Sequence, residues 1–488
     1  MKSKCMGLLG ILLVLSVSFF GCSSGGGGST PPPTPPSTPP SAPTNLVATA
    51  GNSTVGLTWT AVSDAASYNV YRGAATGALG TKTKIATGLL SAAYNDSTAA
   101  NGTTYYYQVT AVNANGESGG STEKSVRPRG TGSWTATSIT GAPSARALHS
   151  SVWTGTEILI WGGTDDGVTG LDTGGRYDPA TDSWTAITTT NAPSARFEAR
   201  AQWIALSVNK WIVWGGTNDG YTTGLNTGGL YDPASNSWAT TTTTNAPQGR
   251  FYHTMVRSGS KVIVWGGTPN DTNGLNTGGV YDPAGNSWTA TNTAGAPSAR
   301  LLHRAVRRGT FETMIVWGGT PDYTAVLNTG GVYDPAGDSW TATNTAGAPS
   351  ARADHNAVLA PNIGMIVWGG TPDGNTSLNT GGIYNAGTDS WTATSTVGAP
   401  SARIDNSAEW TGTEMIVWGG SPDYTTTTTL NTGGRYDPAT DTWTATTTVN
   451  APSARAAYRS DWTGTEMIVW GGTPDYATTL NTGGRYTP

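Results

Sequence analysis

The tripeptide Trp-Gly-Gly begins at Trp161, Trp214, Trp265, Trp317, Trp368, Trp418 and Trp470, at intervals of 53, 51, 52, 51, 50 and 52 residues. Three companions travel with each copy. An Ala-Pro segment ending in Arg precedes it ("GAPSAR" at 141–146), a "TGGxY" follows it, and in six of the seven copies a Trp stands seven residues beyond that Tyr. A chain that repeats itself about every 50 residues builds one supersecondary unit many times and stacks the copies, because a single unit cannot bury its own apolar face. Composition decides what the unit is made of. Charged residues are 12%, Gly numbers 67 and Trp 20, and Thr and Val run through the repeats. Strand-favouring and turn-forming residues dominate over helix formers, so the class is all-β.

Within a unit, strand a runs from the Arg (Arg403 to Trp410), strand b is "EMIVWGG", strand c is "NTGGRYD" and strand d is "DTWTATT". A Pro-containing turn such as "DPATD" joins c to d. The strand-ending Gly-Gly, the later Tyr and the fixed Tyr-to-Trp spacing resemble the kelch repeat. That resemblance implies a β-propeller of four-stranded blades over residues 130–488. Spacing also predicts how the ring closes. Tyr486 has no Trp seven residues on, while an unpaired Trp134 stands twelve residues before Arg146, the same interval that separates every other such Trp from its Arg. The strand around Trp134 is therefore expected to complete the unit that contains Tyr486, giving seven blades and no open sheet edge.

The b–c segments ("GGTPDYTTTTTL") and d–a segments ("NAPSAR") fall on one face of such a propeller, the face with which kelch proteins bind partners. It carries seven arginines (Arg146, Arg196, Arg250, Arg300, Arg352, Arg403 and Arg455) and seven loop acids (Asp166, Asp219, Asp271, Asp322, Asp373, Asp423 and Asp475). A planar guanidinium suits an anionic or hydroxyl-rich ligand. A residue present in every unit, however, serves every unit, so the arginines are read as structural, bonding carboxylates or carbonyls between blades. Specificity belongs where blades differ. The three residues after each Arg differ, placing Glu198, Tyr252, His253, His303, Asp354, His355 and Asp405 as candidate ligand-binding residues near the inner strands, with Phe197 and Phe251 alongside. Carboxylates beside aromatic faces suit a carbohydrate. Against this, the histidines share one repeat position with His149, which kelch units often fill with a structural His.

The N-terminus reads as an address. Lys2 and Lys4 precede an apolar run to Phe20, ending "FFGC" at Cys22. This resembles the lipobox of bacterial lipoproteins, which implies that 1–22 is a signal peptide, that Cys22 carries lipid, and that the protein sits in the cell envelope at the outer membrane. Residues 23–41 form a Gly/Ser- and Pro-rich linker. Residues 42–129 alternate as strands, with Val55, Leu57 and Trp59 on one face, and resemble a fibronectin type III domain, with Trp59 as its core Trp and Tyr105 as its tyrosine corner. Such a module is expected to act as a spacer.

Both cysteines, Cys5 and Cys22, precede the folded region, which leaves it no disulfide, CxxC metal site or thiol nucleophile. A net charge of -5 with scattered basic residues gives no surface for nucleic acid. The sequence holds no HExxH or GxSxG. No cofactor is implied. The expectation is a monomeric, exported, surface-anchored binding or adhesion protein for a protein or glycan partner. The alternatives are a glycan-active enzyme, using a pair such as Asp354 and Asp405, or a purely structural envelope protein.

Overall fold

The computed structural model describes residues 38–205, 209–309 and 312–488. Cys22, the leader and most of the linker lie outside the described residues. The described chain is nearly all β, with one three-residue 3-10 turn at Leu79–Thr81. It falls into two unlike halves.

Residues 44–126 form two antiparallel sheets. One orders Thr44–Gly51, Thr54–Thr60 and Ala93–Asp96; the other joins Thr83–Leu89, Ser67–Gly73, Tyr105–Asn113 and Gly116–Glu117, with Lys124–Val126 also on Tyr105–Asn113. Period-two alternation sends Val55, Leu57 and Trp59 inward onto Val70, Tyr107 and Val109, all buried. The Tyr105 hydroxyl accepts a hydrogen bond from the Ala100 N–H at 3.1 Å, tying a strand end to the backbone just upstream.

From residue 133 onward there are seven four-stranded antiparallel sheets, the first six each a simple meander. The first contains Ser150–Trp153, Ile158–Trp161, Gly174–Asp178 and Ser183–Ala186. The seventh contains Arg459–Trp462, Met467–Trp470 and Gly483–Thr487, and takes its fourth strand, Ser133–Ala136, from the other end of the repeat region, so that Tyr486 pairs with Trp134. First strands of successive sheets lie side by side, and that of the seventh touches that of the first.

The repeated residues explain why the sheets recur and stack. In the first sheet Tyr177 pairs with Trp184 across the third and fourth strands. The Tyr177 hydroxyl donates to Asp182 Oδ1 at 2.5 Å, in a turn where Asp182 is left-handed. Trp184 Nε1 donates to the carbonyl of Ser138, two residues past the end of the seventh sheet's fourth strand. The same indole bond links each sheet to its predecessor, and across the chain ends it is Trp134 Nε1 to Thr447 O at 3.1 Å. The Trp before each Gly-Gly is buried against the fourth-strand Trp of a neighbouring sheet, as in Trp161–Trp238 with centroids 4.7 Å apart. The glycines after it are required. Gly163 has φ +96°, and a Cβ there would stand 2.6 Å from the Ala147 carbonyl.

The two halves meet through Arg129. Its guanidinium pairs with Asp437 at 2.8 Å and with Glu414, both of the sixth sheet, and all three side chains are buried.

Candidate functional site

The segments after each Gly-Gly and the Ala-Pro-Arg segments come together around a cavity of about 600 Å³. Its wall is built by one backbone device used seven times. The residue after each repeat Arg bridges to the Thr or Ser after the Gly-Gly, as Phe197 does to Thr217 and Ile404 to Ser421. The next residue is left-handed in all seven repeats: Leu148, Glu198, Tyr252, Leu302, Asp354, Asp405 and Ala457, with φ between 49° and 56°. The third residue is buried again. The left-handed residue thus puts its side chain on the cavity wall, and all seven line the cavity. An L-residue held at positive φ costs about 1 kcal/mol, so this conformation is imposed by the bonds on either side of it.

Four of the seven candidate residues therefore meet at one site: Glu198, Tyr252, Asp354 and Asp405. His253, His303 and His355 do not. They are buried one position further on, edge-on to Trp214, Trp265 and Trp317 at 5.3–5.5 Å, as His149 is to Trp470. Burial holds their imidazoles well below the usual range, with nearby arginines adding to the effect. Neutral wedges between sheets is what these positions supply. Phe197 and Phe251 are also fully buried and support the cavity from behind, against Tyr221.

The ring arginines are structural, but not between sheets as expected. Arg300 Nη1 donates to Gly318 O and Thr329 O, Nη2 to Ser298 Oγ and Thr329 Oγ1, and Nε to Ser298 O, all at 2.7–3.1 Å and all within its own sheet and its lead-in. Arg146, Arg196, Arg352, Arg403 and Arg455 repeat the pattern, and Arg250 repeats it without the hydroxyl of a preceding Ser. Only the backbone of the Arg crosses sheets: Gly163 N–H donates to Arg196 O at 2.9 Å. Of the loop acids, Asp166, Asp219, Asp373, Asp423 and Asp475 accept N–H groups of their own turns, and Asp322 accepts the Thr324 N–H in the same way. Asp271 differs, since it accepts from the hydroxyl of Tyr323 in the next repeat.

Two groups were not picked out from sequence. The first is the Tyr of the repeated "GGTPDY" stretch. Tyr424 donates to Asp354 Oδ2 at 2.8 Å and Tyr476 to Asp405 Oδ2 at 2.9 Å, while Tyr221 stacks on Tyr252 with centroids 5.5 Å apart. All line the cavity. The signal was present: a Tyr in a loop that recurs in some repeats and not in others. The second is Arg200, Arg304 and Arg459, four residues after the ring Arg in the second, fourth and seventh sheets. Arg304 donates to Asp354 Oδ1 at 3.2 Å, and Glu198 sits between Arg200 at 3.3 Å and Arg459 at 3.8 Å.

The Asp405 N–H donates to Asp354 Oδ2 at 3.1 Å, which sets the two acids side by side on the cavity wall. Burial, and then the charge of Asp354, push the Asp405 carboxyl well above the usual range. Burial also raises Asp271. Arg200, Arg304 and Arg459 also line a second space of about 260 Å³, whose wall includes Glu409. Ser460 Oγ donates to Glu409 Oε1 at 2.7 Å, and burial pushes Glu409 up to about 8 and neighbouring Asp461 up to about 7. Among the described residues no group of His, Cys, Asp and Glu is arranged to hold a metal ion.

Residues 125–311 and 302–482 match the family model described as the KLHDC2/KLHL20/DRC7 Kelch-repeats domain. The chain belongs to the Kelch-repeat family. This Kelch chain is also similar, over short segments, to two bacterial enzymes. It is 35% identical over 117 residues to an amylopullulanase of Thermoanaerobacter thermohydrosulfuricus, and 37% identical over 84 residues to an amylopullulanase of Thermoanaerobacterium saccharolyticum. Those segments are 22% and 17% of this chain, and the chain spans 8% and 6% of the enzymes' own length.

Proposed function

We propose that the seven sheets are the blades of one closed ring, and that the chain is a non-catalytic binding protein which takes a segment of a partner protein into the mouth on the b–c loop side. One observation carries this reading. Seven left-handed positions, identical in backbone and different in side chain, surround a cavity of about 600 Å³. Repeats that hold one backbone conformation and change the side chain where they face one space are arranged for recognition. Kelch membership adds support for a protein partner. We further propose that residues 42–129 are a fibronectin type III spacer, and that a lipid on Cys22 holds both units at the cell envelope.

A glycan partner is the second reading, favoured by the carboxylates and tyrosine rings on the same wall. The enzyme alternative would need two carboxyls set about 5 Å or more apart across the bond to be broken; no observation favours it for Asp354 and Asp405, whose side chains are engaged by Arg304, Tyr424 and the Asp405 N–H, and by Tyr476.

The test is a screen of residues 41–488 on immobilised peptides and glycans, beside a variant carrying Glu198→Ala, Tyr252→Ala, Asp354→Ala and Asp405→Ala. Saturable binding to a peptide, lost in a variant that keeps its near-ultraviolet circular dichroism, is expected. Binding that survives in the variant would move the site off this cavity, and binding to glycans alone would replace the protein reading with the second one.

A further inference from the structure

The residue seven positions after each repeat Arg lies at the end of the first strand of its sheet. It is Trp in the sixth, seventh, first and second sheets (Trp410, Trp462, Trp153 and Trp203), Arg in the third and fourth (Arg257 and Arg307), and Leu359 in the fifth. In every sheet it pairs with the residue that opens the apolar run of the second strand, as Trp153 does with Ile158, Arg257 with Val262 and Trp410 with Met415. The register is the same whether Arg, Leu or Trp stands there, so the sheet itself does not call for an indole.

All of these residues but Trp462 line a further cavity, of about 760 Å³. Trp203 stands five residues on from Glu198, about 16 Å at a strand's rise of about 3.3 Å per residue. The cavity therefore sits at the other end of the first strands from the b–c loops, and turn residues such as Thr154 and Gly155 contribute to its wall. Its volume falls in the range of about 300–1,000 Å³ usual for ligand pockets.

The wall is chemically two-sided. Trp153, Trp203 and Trp410 are half-buried, and each packs partly on the apolar core of its own and a neighbouring sheet. The Trp410 indole nitrogen is buried, so what that ring offers the cavity is carbon. The third and fourth sheets supply guanidinium instead. Arg307 is bonded to Glu312, and Arg257 stands near the same carboxylate. Two cations thus share one acid. The other carboxyl on the wall, Glu409, already accepts from Ser460, and burial keeps it protonated at neutral pH. The wall is left with positive charge on one side and indole on the other. A fitting ligand presents flat apolar faces to the rings and a carboxylate to the planar fork of an arginine. Pyranose rings that carry carboxylates do both, with C–H faces for indole and hydroxyl edges for groups such as Gln202 between the rings.

We propose that this cavity is a second binding site, separate from the mouth, which takes an acidic oligosaccharide: its sugar rings lie against Trp153, Trp203 and Trp410, and a carboxylate sits on Arg257. The site does not depend on what the mouth binds.

The experiment is calorimetry on the full-length chain at pH 7 with three probes: trigalacturonate, its methyl ester and indole-3-acetate. Trigalacturonate is expected to saturate and to bind at least about tenfold more tightly than the ester, since a charge-assisted bidentate bond is lost on esterification. Arg257→Gln should bring the two to equal affinity. Trp203→Leu should weaken both by about tenfold or more, with Trp153→Leu as the second variant should the first not keep its near-ultraviolet circular dichroism. The four-residue variant at the mouth should bind trigalacturonate as the wild type does. Equal affinity for trimer and ester, a preference that survives Arg257→Gln, undiminished binding in a folded Trp→Leu variant, or no saturation would each overturn the proposal. Tighter binding of indole-3-acetate would overturn the saccharide in favour of a planar acid. Binding lost in the mouth variant but kept in Arg257→Gln would overturn the second site and place the sugar at the mouth.

Discussion

At the scale of single residues, the same repeat position can be scaffold in one sense and specificity in the next. The ring Arg and the His three residues later bond and wedge the sheets, while the residue between them that faces the channel changes from Leu to Glu to Tyr to Asp. Sequence periodicity marked the variable triplets but could not choose which of their three members lines the cavity. That choice depends on which residue is left-handed, and Asp and Tyr at positive φ are invisible without the flanking bonds. The buried groups also set how stability follows pH. Glu409 and Asp461 are raised to about 8 and about 7, above their unfolded values of roughly 4. The folded chain then binds more protons than the unfolded chain across that window, so stability falls as pH rises through it. The four buried histidines act in the opposite sense. Their folded pKa values lie below the unfolded value of about 6.5, so their contribution is present above that pH and is lost as pH falls below it. Maximum stability is therefore expected near pH 6. The double variant Glu409→Gln and Asp461→Asn should melt about 2–4 °C or more above the wild type at pH 8.5, with the gain gone at pH 4.5. Melting curves at the two pH values check this; an equal shift at both would mean that the acids do not hold protons in the folded chain.

At the scale of elements, almost everything was legible, because each strand carries a marker fixed by packing. Tyr and Trp sit seven apart because they pair across a tight turn, as Tyr281 does with Trp288. The misplaced strand was legible for the same reason, since Trp134 keeps the twelve-residue interval to Arg146. Loop geometry was not legible. Nothing in "TPDY" says that the hydroxyl of Tyr476 reaches Asp405, which is 71 residues away in the chain. Ser133–Ala136 gives the sharpest test at this scale. Trp134 packs on Trp418 and Tyr486 at 5.0 Å each, and its strand covers the edge of Gly483–Thr487. Trp134→Ala should cost about 3–5 kcal/mol. A chain that begins at residue 138 should do worse, because it leaves a sheet edge open. Size-exclusion chromatography is expected to show that chain as aggregates, and addition of a peptide spanning 130–137 should restore the wild-type peak. A shortened chain that elutes and melts like the wild type would mean that the strand is dispensable.

At the scale of the whole molecule, the question is whether the sandwich is a loose spacer or a fixed base. Three of the seven sheets carry a Glu before the second strand and an Arg immediately before the repeat Tyr. In the first and seventh sheets the pairs Glu157–Arg176 and Glu466–Arg485 are partly open to solvent. In the sixth, Glu414 and Arg435 are only 3% and 2% exposed, because Arg129 at the end of the sandwich has entered the pair and also reaches Asp437. A surface pair contributes little, about 0–1 kcal/mol. A buried one leaves an uncompensated charge when broken, at about 3–5 kcal/mol. Removing Arg129 strands two carboxylates, Glu414 and Asp437, with Arg435 as their remaining neighbour. The lower-energy response is to open the contact to water rather than to unfold either half, since each has its own core. Arg129→Ala should therefore leave the melting of the repeat region nearly unchanged, speed proteolysis between residues 127 and 132, and increase the radius of gyration in solution scattering. Arg129→Lys should recover only part of the effect, because one ammonium cannot serve two carboxylates in the planar fork that arginine supplies. If scattering curves of the wild type and Arg129→Ala superimpose, the sandwich is not held by this cluster. If they diverge while ligand binding at the mouth is unchanged, orientation and recognition are separate properties of the chain, one set at Arg129 and the other around Asp405.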